Sequence, residues 1–81
     1  MDLFVFGDLD HFEVHVSGPV DPADHAALSR TVSTLPADVP MLVEFQGMLR
    51  GDLAAVALQV TSAAAARTAP TEIRHRHGLS G

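Results

Sequence analysis

Polar and apolar residues alternate over the first part of the chain with the period of two that is typical of β-strands. A short apolar run from Leu3 to Phe6 precedes turn-forming residues from Gly7 to Asp10, and alternation is clear from His11 to Ser17. The pattern predicts two strands joined by a tight turn. One face of the second strand would join the core, with Phe12, Val14 and Val16, and the other would be polar, with His11, Glu13 and His15.

The spacing of apolar residues becomes helical after the second strand. Asp21 followed by Pro22 predicts a helix start, because the Asp side chain accepts hydrogen bonds from free amides and proline leaves no amide unpaired at the first helical position. We expect this helix to extend to about Leu35, where Pro36 ends it. Its buried face would carry Leu28, Val32 and Leu35.

Residues Val39 to Phe45 form an almost continuous apolar run, which is typical of a strand covered on both faces. We therefore expect this strand to pair in parallel with the second one through a right-handed crossover. The segment from Gln46 to Gly51 is predicted to be a loop, with Asp52 as the N-cap of a second helix that extends to about Arg67. Thr71 to His77 predicts either a fourth strand at the sheet edge or a frayed tail.

The second helix has an apolar surface wider than one contact with a sheet requires. Ala54, Leu58 and Ala65 extend the apolar stripe beyond its main face. This surplus predicts a further packing partner, and a homodimer related by a two-fold axis is one candidate. The main apolar face would consist of Leu53, Val56, Ala57, Val60 and Ala64.

The order of elements predicts one α/β domain over residues 1–81, with a small mixed sheet and the succession β-β-α-β-α-(β). The formal net charge of −5 at pH 7 argues against a nucleic-acid partner, because phosphate-backbone binding needs a cationic surface. The sequence contains no cysteine, its first residues do not form a cationic segment followed by a long apolar run, and its apolar stretch from Leu53 to Ala66 is too short to span a bilayer. We therefore expect a cytoplasmic protein that binds neither nucleic acid nor membrane.

The element order and three short motifs resemble the STAS domain family, which includes the bacterial anti-sigma-factor antagonists. Gly18-Pro19-Val20-Asp21 is similar to the family's Gly-x-x-Asp at a strand end, and Leu28 is similar to the leucine of the helix that follows. Met41-Leu42-Val43-Glu44 is similar to the family's apolar strand, with Glu44 where Asp is usual. The resemblance extends from Phe4 to Val60. It implies a STAS-like fold that docks a protein partner, such as a kinase-like anti-sigma factor or another regulatory assembly.

The chain departs from this family at the loop before the second helix. The family carries an Asp-Ser-Ser/Thr-Gly segment there, whose hydroxyl residue a partner kinase phosphorylates, whereas residues 47–53 contain no hydroxyl residue and the loop is shorter. The resemblance therefore implies an interaction module without a phosphorylation switch, unless the carboxylate of Asp52 imitates the phosphorylated state. The partner-binding residues that it implies are Gly18, Asp21, Gly47, Met48, Leu49, Arg50, Asp52 and Leu53.

A second hypothesis is a small homo-oligomeric protein that binds a metal or another ligand through histidines. His11, Glu13 and His15 share one predicted strand face, and His75 and His77 share a face of the last segment. Imidazole and carboxylate groups are common zinc ligands, but no compact metal-binding motif is present. The carboxylates occupy turn and cap positions, and the sequence contains neither a nucleophile elbow nor a phosphate-binding glycine loop. We therefore expect no enzymatic activity and assign no metal or cofactor.

Overall fold

The computed structural model describes residues 1–48 and 50–76, and it confirms the α/β class and the order of elements that the sequence predicts. The four strands form one mixed sheet in the order β1-β2-β3-β4, in which β1 is antiparallel to β2 and the other pairs are parallel. The elements are β1 (Asp2–Gly7), β2 (Phe12–Ser17), α1 (Pro22–Thr34), β3 (Met41–Gln46), α2 (Arg50–Ala64) and β4 (Thr71–Arg76).

The alternation in β2 determines which face of the sheet joins the core. Val14 and Val16 are fully buried, and the parallel register places them beside Val43 and Phe45, which are also fully buried. Both helices cover this same face, since their buried residues belong to the same hydrophobic cluster. The opposite face, which neither helix covers, is called the open face below. The buried helical residues are Leu28 and Val32 in α1 and Val56 and Val60 in α2.

The start of α1 agrees with the prediction. The side chain of Asp21 accepts a hydrogen bond of 3.1 Å from the amide of Asp24, and the Asp24 carboxylate accepts one of 3.0 Å from the amide of Asp21. This reciprocal capping box satisfies backbone donors that the first turn leaves free. The helix ends at Thr34, and the side chain of Leu35 still packs against the core.

The start of α2 differs from the prediction. The helix begins at Arg50, so the prediction that Asp52 is its N-cap is wrong, and Asp52 lies inside the first turn. Glycine disfavours helices, which is why the sequence placed the boundary after Gly51, but this glycine lies within the helix. The loop predicted from Gln46 to Gly51 is shorter at both ends, since Gln46 belongs to β3 and Arg50 begins α2.

Two other elements are shorter than the hydrophobic pattern predicted. β3 begins after Pro40, which has no amide hydrogen to donate, although its carbonyl accepts a 2.9 Å hydrogen bond from the amide of Phe12. The helical part of α2 ends at Ala64. The fourth strand is confirmed up to Arg76, whereas His77 lies outside the described residues. In the part of the chain that the structure describes, no helix is long and apolar enough to cross a membrane.

Candidate functional site

β2 and β3 run in parallel, and their carboxyl ends lie side by side at one end of the sheet. Ser17 and Gln46, the last residues of the two strands, are register partners. Gly18 and Gly47 follow them directly, with left-handed φ angles of 85° and 69°. Glycine adopts such angles without the steric penalty of a side chain, so both segments can turn sharply away from the sheet. The structure thus brings the two segments of the expected partner-binding region, after β2 and after β3, to the same end of the sheet.

We call residues 18–21, 47, 48 and 50–53 the strand-end surface. Leu49, which the resemblance also implied, lies outside the described residues. Gly47 and Arg50 are exposed, and Asp21 is exposed at the start of α1. Met48 and Leu53 are half-buried and pack against the core, so this surface has an apolar base below its polar groups.

Carboxylates lie at both helix starts of the strand-end surface. Asp21 and Asp24 form the capping box of α1, and Asp52 lies in the first turn of α2. A helix N-terminus carries partial positive charge, which these carboxylates offset. A free anion is therefore disfavoured here, and the exposed Asp21 favours a partner that presents basic groups.

The open face of the sheet carries a chain of close histidine–carboxylate contacts centred on His15. Its Nε2 lies 2.7 Å from Oε1 of Glu13, and its Nδ1 lies 3.3 Å from Oε2 of Glu44. Glu13 also contacts Nε2 of His11 at 3.0 Å through its other oxygen. Phe6 stacks on the imidazole of His15, with ring centroids 5.0 Å apart. The imidazole of His15 is therefore held from both nitrogens and from one ring face.

The hydrogen bond from His15 lowers the pKa of Glu13 below its ordinary value, and the charges of His11 and His15 lower it further, while partial burial opposes them. Glu44 is only 4% exposed, and Nη2 of Arg76 lies 3.9 Å from its second oxygen. Partners of this kind are needed because removing a carboxylate from water is costly. The apolar run around Glu44 was the sequence signal that could have indicated its burial.

The histidines of the metal hypothesis do not converge. His75 pairs with Phe45, so its side chain leaves from the helix-covered face, whereas His15 lies on the open face. His15 is the register partner of Glu44 and His75 that of Phe45, the next residue, and successive side chains of a strand leave opposite faces of the sheet. The interpretation that His75 could share a site with His11 and His15 is therefore wrong. His77 lies outside the described residues. Within residues 1–48 and 50–76, no group of three or more His, Cys, Asp or Glu could hold a metal ion.

The segments that carry the sequence resemblance occupy defined places in this fold. Residues 18–21 connect β2 to α1, Leu28 is fully buried in α1, and residues 41–44 form the first part of β3. Comparisons of the chain with models of protein families, with curated proteins and with solved structures gave no match. Function is accordingly inferred from the geometry of the strand-end surface and from these segments.

Proposed function

We propose that this protein is a small, non-enzymatic regulatory module of STAS type that binds a protein partner through the strand-end surface. The pairing of Ser17 with Gln46 carries the proposal, because it places two glycine turns and two helix starts side by side. The sequence segments similar to STAS proteins support it, since one of them, residues 18–21, forms the part of this surface that follows β2. We also propose that the protein acts in the cytoplasm, which the absence of cysteine favours.

The chemistry of the strand-end surface indicates what kind of partner it would bind. Met48 and Leu53 offer half-buried apolar side chains, and Asp21 and Asp52 add carboxylates at the two helix starts. Protein interfaces commonly combine an apolar centre with a polar rim, and complementary charges give specificity and speed to association. A partner with an apolar patch bordered by Arg or Lys would fit, and the proposed class is a kinase-like anti-sigma factor or another regulatory assembly.

The missing hydroxyl residue bears on how binding would be regulated. Residues 47–53 contain no Ser or Thr, so a partner kinase has no acceptor at this point of the chain. The carboxylate of Asp52 is present whatever the activity of the kinase. Complex formation would therefore depend on the concentrations of the module, its partner and any competitor, and not on phosphorylation of this loop.

Affinity capture of the tagged protein from its native lysate, followed by mass spectrometry, tests the proposal. Three forms are compared: the unmodified protein, Asp52→Arg and the control Asp38→Arg. Asp38 is exposed and lies just before the amino end of β3, whereas the strand-end surface follows its carboxyl end. The partner recovered with the unmodified protein is then purified, and its affinity for each form is measured by calorimetry. We expect Asp52→Arg to lose about tenfold or more in affinity and Asp38→Arg to bind as the unmodified protein does.

Equal affinity of all three forms, each shown to be folded by circular dichroism, would contradict binding at the strand-end surface. Recovery of no protein other than the tagged chain itself would contradict the proposed regulatory module. An affinity that falls after incubation of the module with the partner and ATP, accompanied by phosphorylation of residues outside 47–53, would contradict only the absence of a switch.

A further inference from the structure

β1 is an edge strand that lacks the usual protection against pairing. Among residues 1–48 and 50–76, nothing pairs with the outer side of β1. Three consecutive residues of β1 are apolar and exposed, with Phe4 at 66%, Val5 at 42% and Phe6 at 52%. Edge strands are usually guarded by charged side chains, proline or bulges, because their free amides and carbonyls are templates for another strand. None of these devices occurs from Leu3 to Phe6.

The other edge of the same sheet is built differently. β4 carries Glu72, Arg74 and Arg76, and all three side chains are exposed. Glu72 and Arg74 form an ion pair at 2.9 Å. Charged side chains of this kind oppose the approach of a second strand. The contrast indicates that the β1 edge, and not the β4 edge, is available for pairing.

The ladder between β1 and β2 shows which backbone groups of β1 point outward. The amide of Asp8 donates to the carbonyl of His11 at 2.9 Å, so these opposite residues form a hydrogen-bonded pair. Such pairs alternate along an antiparallel ladder, which directs the backbone groups of Phe4 and Phe6 towards β2. Phe12 is the register partner of Gly7, and its amide donates to the carbonyl of Pro40 and not to β1, as this alternation requires. The outward-facing groups are those of Leu3, Val5 and Gly7.

We propose that β1 pairs antiparallel with β1 of a second copy of this chain, about a two-fold axis that passes at Val5. In this register Val5 faces its own equivalent, and Leu3 faces Gly7 of the second copy. Each of these is a hydrogen-bonded pair, so every outward-facing amide and carbonyl of β1 finds a partner. A register centred on Phe4 would pair Leu3 with Val5 and would leave Gly7 without a strand partner.

The side chains are complementary to themselves in the same register. Phe4 lies opposite Phe6 of the second copy on the open face, and the two-fold axis repeats this aromatic pair. Cross-strand aromatic pairs at positions that lack backbone hydrogen bonds lie close together and stabilise sheets. This self-complementarity favours a second copy over an unrelated strand, and the two-fold axis closes the assembly at two chains.

Charge sets the conditions under which this dimer forms. Each chain carries a formal net charge of −5 at pH 7, and the proposed register places Asp2 opposite Asp8 of the second copy. Like charges opposite each other destabilise strand pairing, whereas the residues between them are uncharged. Added salt should therefore strengthen the dimer, and Asp2→Asn should lower its dissociation constant.

Sedimentation equilibrium over a range of protein concentrations tests the proposal. We expect a monomer–dimer equilibrium in which Val5→Arg and Phe4→Arg each raise the dissociation constant about tenfold or more. The control Leu58→Arg replaces a large apolar side chain of α2 that is 69% exposed, and it should leave the dissociation constant unchanged. Amide exchange by NMR supplies a second readout. The amides of Leu3, Val5 and Gly7 should exchange more slowly as concentration rises, and those of Phe4 and Phe6 should not change.

Four results would overturn the proposal. The unmodified protein could remain a monomer at all concentrations, or it could form open-ended assemblies whose mass keeps rising. Leu58→Arg could abolish a dimer that Val5→Arg leaves intact, which would place the interface on α2. Finally, a dimer could form without concentration-dependent protection of the Val5 amide. Circular dichroism of each variant confirms that it is folded before its mass is interpreted.

Discussion

Nη2 of Arg67 donates a hydrogen bond of 2.6 Å to the carbonyl oxygen of Val39, which joins the segment after α2 to the turn before β3. The same guanidinium reaches the carbonyls of Leu35 at 3.1 Å and Pro36 at 2.8 Å. The last turn of α1 contains no basic residue of its own, so Arg67 supplies donors to backbone acceptors that follow the end of that helix. One side chain thereby joins the segment after α2 to the connection between α1 and β3, about thirty positions earlier in the chain.

Replacing Arg67 by Met should lower the free energy of unfolding by about 2 to 3 kcal/mol, because several half-buried carbonyls lose a charged donor. The control is Arg30→Met, at an exposed position of α1, which should change stability by less than about 0.5 kcal/mol. Urea unfolding followed by circular dichroism measures both variants. Equal stability of the two variants would show that the guanidinium contributes no more than a surface charge.

Leu28 and Leu58 offer a matched test of the two helical environments. Leu28 in α1 is fully buried, whereas Leu58 in α2 is 69% exposed. Leu28→Ala should cost about 2 to 5 kcal/mol of unfolding free energy, since it removes buried methyl groups and leaves a cavity. Leu58→Ala should cost less than about 0.5 kcal/mol in the monomer. If Leu58→Ala were the more destabilising change under dilute conditions, α2 would have to be packed differently from the described arrangement.

The lowered pKa of Glu13 predicts a specific dependence of stability on pH. Because this pKa is lower in the folded than in the unfolded chain, the ionised carboxylate adds stability at pH values above its ordinary value of 4.5. That contribution is lost as the pH falls through the folded-state pKa. His15→Leu, which removes the hydrogen-bond donor, should raise the pKa of Glu13 towards the ordinary value and reduce the loss of stability in acid.

NMR titration of the Glu13 side-chain carboxyl measures this effect directly. The control is His25→Leu, because His25 lies on α1 and not on the open face. We expect its titration to match that of the unmodified protein. If His15→Leu, which removes the donor, left the pKa of Glu13 unchanged, the hydrogen bond between these two residues could not be the main cause of the shift.

The elements that the sequence predicted well are those with local causes. Strict alternation indicated the buried face of β2, including Val14 and Val16, and Asp21 before Pro22 indicated the start of α1. The parallel pairing of β2 with β3 followed from the succession of elements. Leu58 was expected to lie on surplus apolar surface, and its side chain is exposed.

The features that the sequence did not predict depend on contacts between distant residues or on a single boundary. Arg67 was read only as the end of α2, because its acceptors lie about thirty positions earlier in the chain. With Asp52 predicted as the N-cap, the first helical residue would be Leu53, three residues after the observed one, so Asp52 received the wrong structural role. His15 and His75 were grouped by residue type, and only the sheet register showed that they occupy opposite faces.

The most direct test of the proposed docking function is NMR mapping of the surface that contacts the purified partner. Cross-saturation from the unlabelled partner to the labelled module should affect the amides of Gly18, Asp21, Gly47 and Asp52. It should leave the open face around His15 and Arg74 unaffected. Saturation confined to the open face or to β1 would contradict docking at the strand-end surface.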